Sequence, residues 1–439
     1  MYRILKASAI VLMALICYSN PLHAWTDHAL ISYAAMQNDD RYSEIVAAEP
    51  IERFLSGEKA AIAGVLDDSE RWGARHLEYY PPTPADIRFS AGTEPDILKR
   101  FVKALRVNPN TRFPLFLHPA PGTDMPGRAV MPWAQVSVLK TDYIGIPLFV
   151  LRPGEGVPAR DVIAAGSDEL DYGCDMFLWE DNGTPAGLEY KWGKQPFGNP
   201  AIEYATQAPF HMGFYHESRI IFLLAPALKK TFPEFRIHQY AALSRLAFKT
   251  GHRYWGYRFA GMALHYIQDL TNPYHSTIVP GASTIKLVFA SILDVIGIHG
   301  PRNRLLKEIS DSHIFIEKYQ NQKMIRLLKA RDTASPLIKA LADTAADGKH
   351  PPFKESQVRT LISAESRERA DRIKDIIFES ISDRAMFDKI QKLDAGGAYD
   401  IDPMISGSGK KSRDALDSML IELMRSAGLY TRLFLRSIP

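Results

Sequence analysis

One stretch of the sequence constrains the fold of this chain more than any other, and it reads His265-Tyr-Ile-Gln-Asp269-Leu-Thr-Asn-Pro273-Tyr-His275. The flanking apolar pattern predicts a helix, on which His265 and Asp269 lie one turn apart and project from the same face. Pro273 cannot continue that helix, so we expect His275 on the turn just beyond it. An imidazole, a carboxylate and a second imidazole in this register suit a zinc ion. The stretch therefore predicts a helix that ends at a metal site.

Two further pieces of sequence offer donor atoms of the same kind. His313 and Glu317 form a second imidazole and carboxylate pair one helical turn apart, and His275 would complete a three-ligand set with them. Trp25 and His28 offer another set if Trp25 is the N-terminal residue of the mature chain, because a free α-amino group and its own carbonyl oxygen can chelate a cation. The sequence therefore predicts more than one metal ion.

Residues 1–24 are interpreted as a secretory signal peptide that is not part of the fold. Two basic residues precede an apolar run of about a dozen residues, too short to span a bilayer, and the segment ends on Ala24. Cleavage there would leave Cys174 as the only cysteine, so an internal disulfide is excluded. We therefore expect a secreted, extracellular or periplasmic protein in which bound metal substitutes for disulfides.

Helical patterns dominate both ends of the chain, whereas proline and glycine punctuate its middle. Amphipathic segments run from Asp27 to about Gly73 and again from about Tyr215 onwards. Between about 81 and 198, short apolar runs predict short strands and loops. We expect one mainly α domain over 25–439, consisting of a helical core and an irregular, partly β insertion at about 81–198. The later predicted helices cover 216–230, 237–250, 252–270, 304–329, 370–380 and 412–436.

The pattern of these donor residues and their spacings resembles that of the secreted bacterial zinc-dependent phospholipases C. It also resembles that of their relatives, the secreted zinc-dependent single-strand nucleases. The resemblance implies a helical fold with three zinc ions. It covers the two ends of the site well and the middle of the chain poorly. It rests on Trp25 with His28, on the stretch from His265 to His275 with its Asn272-Pro273 pair, and on His313 with Glu317.

The resemblance also implies how the donors are shared among three zinc ions. The first zinc would take His265, one oxygen of Asp269, and an Asp and a His from upstream. The implied ligands of the second zinc are His275, His313 and Glu317. Those of the third are the amino nitrogen and carbonyl oxygen of Trp25, His28, and the other oxygen of Asp269. His28 follows Trp25 more closely than is usual in the family.

The upstream histidine falls where the resemblance is weak. His211, within the aromatic-flanked run Ala208-Pro-Phe-His-Met-Gly-Phe-Tyr215, resembles the family's residue and is preferred. His216 and His76 are the alternatives. The other histidines, at positions 118, 238, 252, 299 and 350, lie outside this register, and we expect them to be solvated or packed in the core.

The upstream carboxylate is less certain in the sequence, because four residues could supply it. Asp168 follows a run of small residues and is preferred, ahead of Asp171 and then Asp67 or Asp68. Asp168 would also be the catalytic residue, orienting or deprotonating the attacking water.

The implied substrate is a phosphodiester, and two sequence features favour a phospholipid such as phosphatidylcholine over nucleic acid. Without residues 1–24 the chain carries 51 basic against 50 acidic residues, which lends little support to a basic groove. The apolar segment 285–298 is expected to be a buried core helix; its alternative role is a surface that touches lipid, with help from Phe210, Phe214 and Tyr215.

The expected partner is thus a phospholipid substrate, which the protein would reach by transient contact with a membrane surface. No transmembrane segment is expected. Two alternatives stay open: a secreted zinc-dependent single-strand nuclease, and a non-catalytic secreted zinc-binding protein. Open coordination positions would argue against the second, because structural zinc sites are normally closed.

Overall fold

The computed structural model describes residues 25, 27–92, 96–120, 122–140, 146–281, 283–381, 401–405 and 407–439. The predicted signal peptide, residues 1–24, lies outside these ranges. Within them the chain is mainly helical, with two very small sheets. The mainly α fold with a minor β component, predicted from the sequence, is confirmed.

The helices of the first half are mostly short and are separated by irregular chain. They are α1 (His28–Met36), α2 (Ile51–Gly57), α3 (Lys59–His76), α4 (Ile97–Leu105), α5 (Trp133–Val136), α6 (Ala159–Asp168), α7 (Pro185–Tyr190), α8 (Ala208–His211) and α9 (Arg219–Leu224). Helix α6 runs directly into a 3-10 turn, Glu169–Tyr172.

The helices of the second half are longer. They are α10 (Pro233–Lys249), α11 (Arg253–Asp269), α12 (Pro273–Ser276), α13 (Thr284–Val295), α14 (Gly300–Lys329), α15 (Pro336–Ala342), α16 (Ser363–Ser380), α17 (Asp402–Ile405) and α18 (Lys410–Leu435).

Both sheets are two-stranded and antiparallel. Strand β1 (Ile45–Ala47) pairs with β4 (Gly156–Pro158), and β2 (Phe116–Leu117) pairs with β3 (Phe149–Val150). Three of these four strands lie in the predicted insertion, where strand signals were expected. The same segment also contributes α6, which packs against α1 and α11 and so belongs to the core.

Helix α11 lies at the centre of the fold. Every residue from Tyr254 to Asp269 is buried, and α10, α6 and α18 pack around the helix. Polar groups of an enclosed helix need partners within the protein, and the Arg258 guanidinium has one, because it donates to Glu169 at 2.8 Å. The helix stops before Pro273, and Asn272 caps the next one by accepting from the Tyr274 amide at 3.1 Å.

Helices α6 and α11 cross at two glycines. A Cβ atom on Gly166 would lie 2.3 Å from the Arg258 carbonyl oxygen, and one on Gly261 would lie 2.3 Å from the Ile163 carbonyl oxygen. Only glycine permits backbones to approach this closely. The close crossing brings the end of α6 against the part of α11 that carries His265.

Candidate metal centre

The Asp269 carboxylate lies at the C-terminal end of α11, fully buried and surrounded by four imidazole rings. Its Oδ2 atom is 2.9 Å from His211 Nδ1 and 3.4 Å from His265 Nε2. Its Oδ1 atom is 3.3 Å from His28 Nε2 and 3.8 Å from His275 Nδ1. Although burial opposes ionisation, these rings hold the pKa of Asp269 well below its usual range.

Two groups of donor atoms have His265 in common. One consists of His28, His265 and Asp269, and the other of Asp171, His211 and His265; within each, the donor atoms lie within 4.8 Å of one another. We call these five residues the Asp269 centre. Helix α1 provides His28, the 3-10 turn after α6 provides Asp171, and α8 provides His211, so four separate segments meet at this point.

A third group, which we call the Glu317 group, consists of His275, His313 and Glu317. His313 and Glu317 are one turn apart on α14, and His313 Nε2 lies 2.7 Å from Glu317 Oε1. His275, on α12, approaches the same oxygen to 3.7 Å. The short step from Asp269 to His275 across Pro273 therefore links the two sets of donors, as the sequence stretch predicted.

A second layer of contacts fixes the orientation of these rings. His265 Nδ1 donates to the Ser167 carbonyl at 2.8 Å, and His275 Nδ1 donates to the His211 carbonyl at 3.1 Å. His28 Nδ1 lies 2.9 Å from Gln268 Oε1. Carbonyl partners of this kind set the tautomer, so His265 Nε2 keeps a lone pair that a metal ion could use.

His211 is held by a buried ion pair behind it. Its Nε2 atom lies 3.4 Å from Asp175, and that carboxylate accepts from Arg236 at 2.6 Å. Burial opposes charging of His211, but its contacts with Asp175 and Asp269 outweigh burial and raise its pKa to about 10. The surroundings of this ring are therefore strongly negative and favour a cation.

Unpaired atoms in the Asp269 centre fit a bound metal. His28 Nε2 and Asp269 Oδ1 are buried without a hydrogen-bond partner, yet they face each other at 3.3 Å. Buried polar atoms are normally paired, and such an arrangement of nitrogen and oxygen donors suits a divalent cation.

The upstream carboxylate preferred from the sequence, Asp168, lies in a different group of donors from His211 and His265. Asp171, and not Asp168, lies with His211 and His265; its Oδ1 atom is 3.8 Å from His265 Nε2. Asp168 is the last residue of α6, and Asp171 lies three residues further on in the 3-10 turn, about 5 Å along the chain.

Asp171 is also the most accessible member of the Asp269 centre. Its side chain is 18% exposed, whereas those of His28, His265 and Asp269 are fully buried. Burial within the protein raises its pKa to about 6, against the opposing effect of His28 and His211. The centre therefore meets solvent at a carboxylate.

The remaining alternatives lie elsewhere. Asp68 is on the exposed face of α3, paired with Arg71, and Asp67 precedes it on that helix. His76 is exposed at the end of the same helix and stacks on Trp72. His216 is exposed, with Nε2 2.8 Å from the Arg359 carbonyl oxygen.

Trp25 is anchored beside the centre. Its side chain is fully buried, and the indole Nε1 donates to Thr271 Oγ1 at 3.0 Å, two residues beyond Asp269. Its predicted role as a ligand through the amino nitrogen and carbonyl oxygen stays a prediction.

Sequence reasoning missed one histidine. His118, expected to be solvated or packed, lies with Asp27 and Asp168 in a further group of possible metal ligands, which we call the Asp27 pocket. The available signal was its position directly after the apolar strand β2, where a side chain can enter the core. In contrast, His238 and His252 pair with Glu355 and Glu49.

In comparisons with known proteins, no family model, no curated protein and no solved structure matches the chain. Among the described residues, no helix combines the length and apolar character needed to cross a bilayer.

Proposed function

We propose that this chain is a secreted phosphoric diester hydrolase of the phospholipase C type that uses zinc at the Asp269 centre and the Glu317 group. One observation carries the proposal: the Asp269 carboxylate lies within 3.8 Å of four imidazole rings, and the cluster meets solvent at Asp171. Closely spaced metal sites with an accessible edge suit in-line displacement at a phosphodiester better than a purely structural role.

Bound zinc would polarise a phosphoryl oxygen and make water reactive near neutral pH. The residues of the chain hold the metal ligands in position. Buried imidazoles with carbonyl partners hold the donors rigidly, and the buried surroundings exclude bulk water. In this proposal Asp171 takes the role that the sequence suggested for Asp168: its partly exposed carboxylate orients the attacking water and accepts its proton.

The lipid substrate is supported by an apolar surface on α9 and α13. Segment 285–298, expected to be buried, instead exposes much of its apolar side. The exposed fractions are Ile285 81%, Leu223 73%, Ile296 66%, Phe289 59%, Ile220 54% and Ile298 50%. Several large apolar side chains exposed on two helices that share one buried cluster are typical of a contact surface.

This α9–α13 surface backs onto the metal centre. Ile221, Leu224 and Leu287 form its inner side and belong to the same apolar cluster as Met212, the neighbour of His211. Phe210 and Phe214, suggested from the sequence as part of a lipid-facing surface, are buried instead. The proposed membrane contact therefore rests on α9 and α13.

The decisive experiment compares substrates side by side on protein that begins at Trp25. We expect hydrolysis of phosphatidylcholine vesicles that stops with a chelator and returns with zinc. Cleavage of single-stranded DNA alone would replace the lipid proposal with a nuclease. Zinc binding without hydrolysis of either substrate would favour a non-catalytic protein, and chelator-resistant hydrolysis would contradict the metal mechanism.

The apolar surface has its own test. The double variant Ile285→Ser with Phe289→Ser removes two exposed side chains, each worth about 1.5–3 kcal/mol if fully buried. Partial insertion of both gives roughly a tenfold loss of hydrolysis on vesicles and no change on a water-soluble short-chain phosphatidylcholine. Leu188→Ser, 57% exposed on α7, is the matched control. Equal losses on both substrates would contradict a membrane role.

A further inference from the structure

The Asp27 pocket lies next to the Asp269 centre but shares no residue with it. His118 Nε2 is 3.7 Å from Asp27 Oδ1 and 3.6 Å from Asp168 Oδ2. All three side chains are completely buried. Donor atoms of the three residues lie within 4.8 Å of one another.

The hydrogen bonds around the pocket leave only lone pairs inside it. Asp27 accepts from the Leu30 amide at 3.2 Å, and Asp168 accepts from the Tyr172 hydroxyl at 2.9 Å. His118 Nδ1 lies 3.3 Å from the Pro119 carbonyl oxygen, which can only accept, so Nδ1 carries the proton and Nε2 presents a lone pair.

Three atoms in this pocket have no hydrogen-bond partner at all: Asp27 Oδ2, His118 Nε2 and Asp168 Oδ1. His118 Nε2 lies 3.7 Å from Asp27 Oδ1 and 3.6 Å from Asp168 Oδ2, too far for a hydrogen bond to either oxygen, and Asp27 Oδ2 and Asp168 Oδ1 have no donor. Leaving one oxygen of each carboxylate and one imidazole nitrogen without a partner in the interior is unfavourable. A positive charge placed between the three side chains would satisfy these atoms.

We propose that Asp27, His118 and Asp168 bind an additional divalent cation, with zinc as the best match, separate from the Asp269 centre and the Glu317 group. Two carboxylates neutralise a charge of 2+, and one nitrogen with two oxygens is a normal zinc donor set. Zinc bonds of about 2.0–2.2 Å at tetrahedral angles separate donors by about 3.3–3.5 Å, close to the 3.6 and 3.7 Å between His118 Nε2 and the two carboxylates.

The proposed cation would fix the segments that carry two members of the Asp269 centre. Asp27 caps α1 and immediately precedes His28, with a left-handed backbone (φ 68°) that few residues other than glycine adopt. Asp168 ends α6, three residues before Asp171. His118 follows β2, and its carbonyl accepts from Tyr33 on α1 at 2.9 Å. The cation thus acts as a positioning element rather than as a catalytic one.

The test is zinc counting and localisation on the full chain beginning at Trp25, after reconstitution with zinc and dialysis. In crystals measured at the zinc edge we expect an anomalous peak within coordination distance of His118 Nε2. His118→Gln is expected to lose one zinc per chain by mass spectrometry and to keep the peaks at Asp269 and Glu317. A wild-type map with those peaks and none at His118 overturns the proposal.

Other results separate this proposal from the proposed function. A peak at His118 with none at Asp269 or Glu317 supports the extra site and contradicts the zinc hydrolase. Zinc in no group contradicts both. An unchanged zinc count in His118→Gln rejects His118 as a ligand.

A second variant covers the case in which His118→Gln does not fold. Asp168→Asn has the shape of a protonated Asp168, so a pocket held by protons alone predicts an unchanged zinc count and undiminished thermal stability. The proposal predicts one zinc fewer and a smaller rise in Tm on adding zinc than in wild type. Asp161→Asn, on the same helix and outside the pocket, is the matched control and keeps the wild-type count.

Discussion

The Asp269 centre and the Asp27 pocket are built from the same side-chain types but differ in connectivity and in access. In the first, His265 and Asp269 come from adjacent turns of one helix, and Asp171 reaches solvent. In the second, the donors come from three distant segments and are sealed in the interior. Equal donor chemistry therefore supports different roles: an accessible edge permits turnover, whereas a closed pocket only holds segments together.

The largest expected difference between the two sites is the loss of hydrolysis caused by Asp269→Asn. Removing the carboxylate shared by four imidazoles is expected to lower phosphatidylcholine hydrolysis on the order of 10³-fold, because it forfeits several kcal/mol of charge stabilisation. Asp168→Asn, which touches only the Asp27 pocket, is expected to lower it less than tenfold. Initial rates at matched protein and zinc concentration decide this, and equal losses would erase the distinction between the two sites.

The next effect concerns the layer behind His211. Asp175→Asn removes the carboxylate that holds His211 against Arg236, and losses of 10–100-fold in metal affinity are typical for such supporting groups. Competition with a chromophoric chelator measures the affinity.

Glu169→Gln provides the control for that variant, because it also leaves a buried arginine, Arg258, without its carboxylate. It contacts no donor of either site, so zinc affinity should stay near the wild-type value even if stability falls. Equal zinc affinity in the two variants would show that Asp175 contributes to folding and not to metal binding.

The smallest expected effect concerns the close crossing of α6 and α11. Gly166→Ala forces a Cβ against the Arg258 carbonyl oxygen and is expected to lower the free energy of unfolding by about 1–3 kcal/mol. Gly64→Ala, on α3 with no atom near the new Cβ, is expected to raise it by about 0.4–1 kcal/mol. Urea unfolding measures both, and a Gly166→Ala variant as stable as wild type would contradict the close crossing.

Helical segments with a clear pattern were predictable to within a few residues. The predicted 237–250, 252–270 and 412–436 correspond to α10, α11 and α18. The predicted helix 216–230 is instead α9 followed by a 3-10 turn, because Pro226 interrupts the α-helical hydrogen bonding.

Donors within one helix or its following turn were predictable because helix geometry fixes their relation, as for His265, Asp269 and His275. Donors from other segments were not. Choosing Asp171 over Asp168 requires knowing where α6 tightens into a 3-10 turn, and grouping His118 with Asp27 requires the tertiary packing of β2 against α1. The exposure of α13 likewise depends on which face its neighbours cover, which its apolar composition does not encode.

The anchoring of the first described residues also has a consequence for biosynthesis. The Trp25 indole bonds to a residue 246 positions later, and His28 contacts one 240 positions later. A ribosome or translocon delivers the chain from its N-terminus. These two contacts therefore cannot form until well over half of the chain has emerged. Closing such long loops is entropically costly and slow. The Asp269 centre is therefore assembled late in folding, and until then His28 and Trp25 are open to proteases and to incorrect partners.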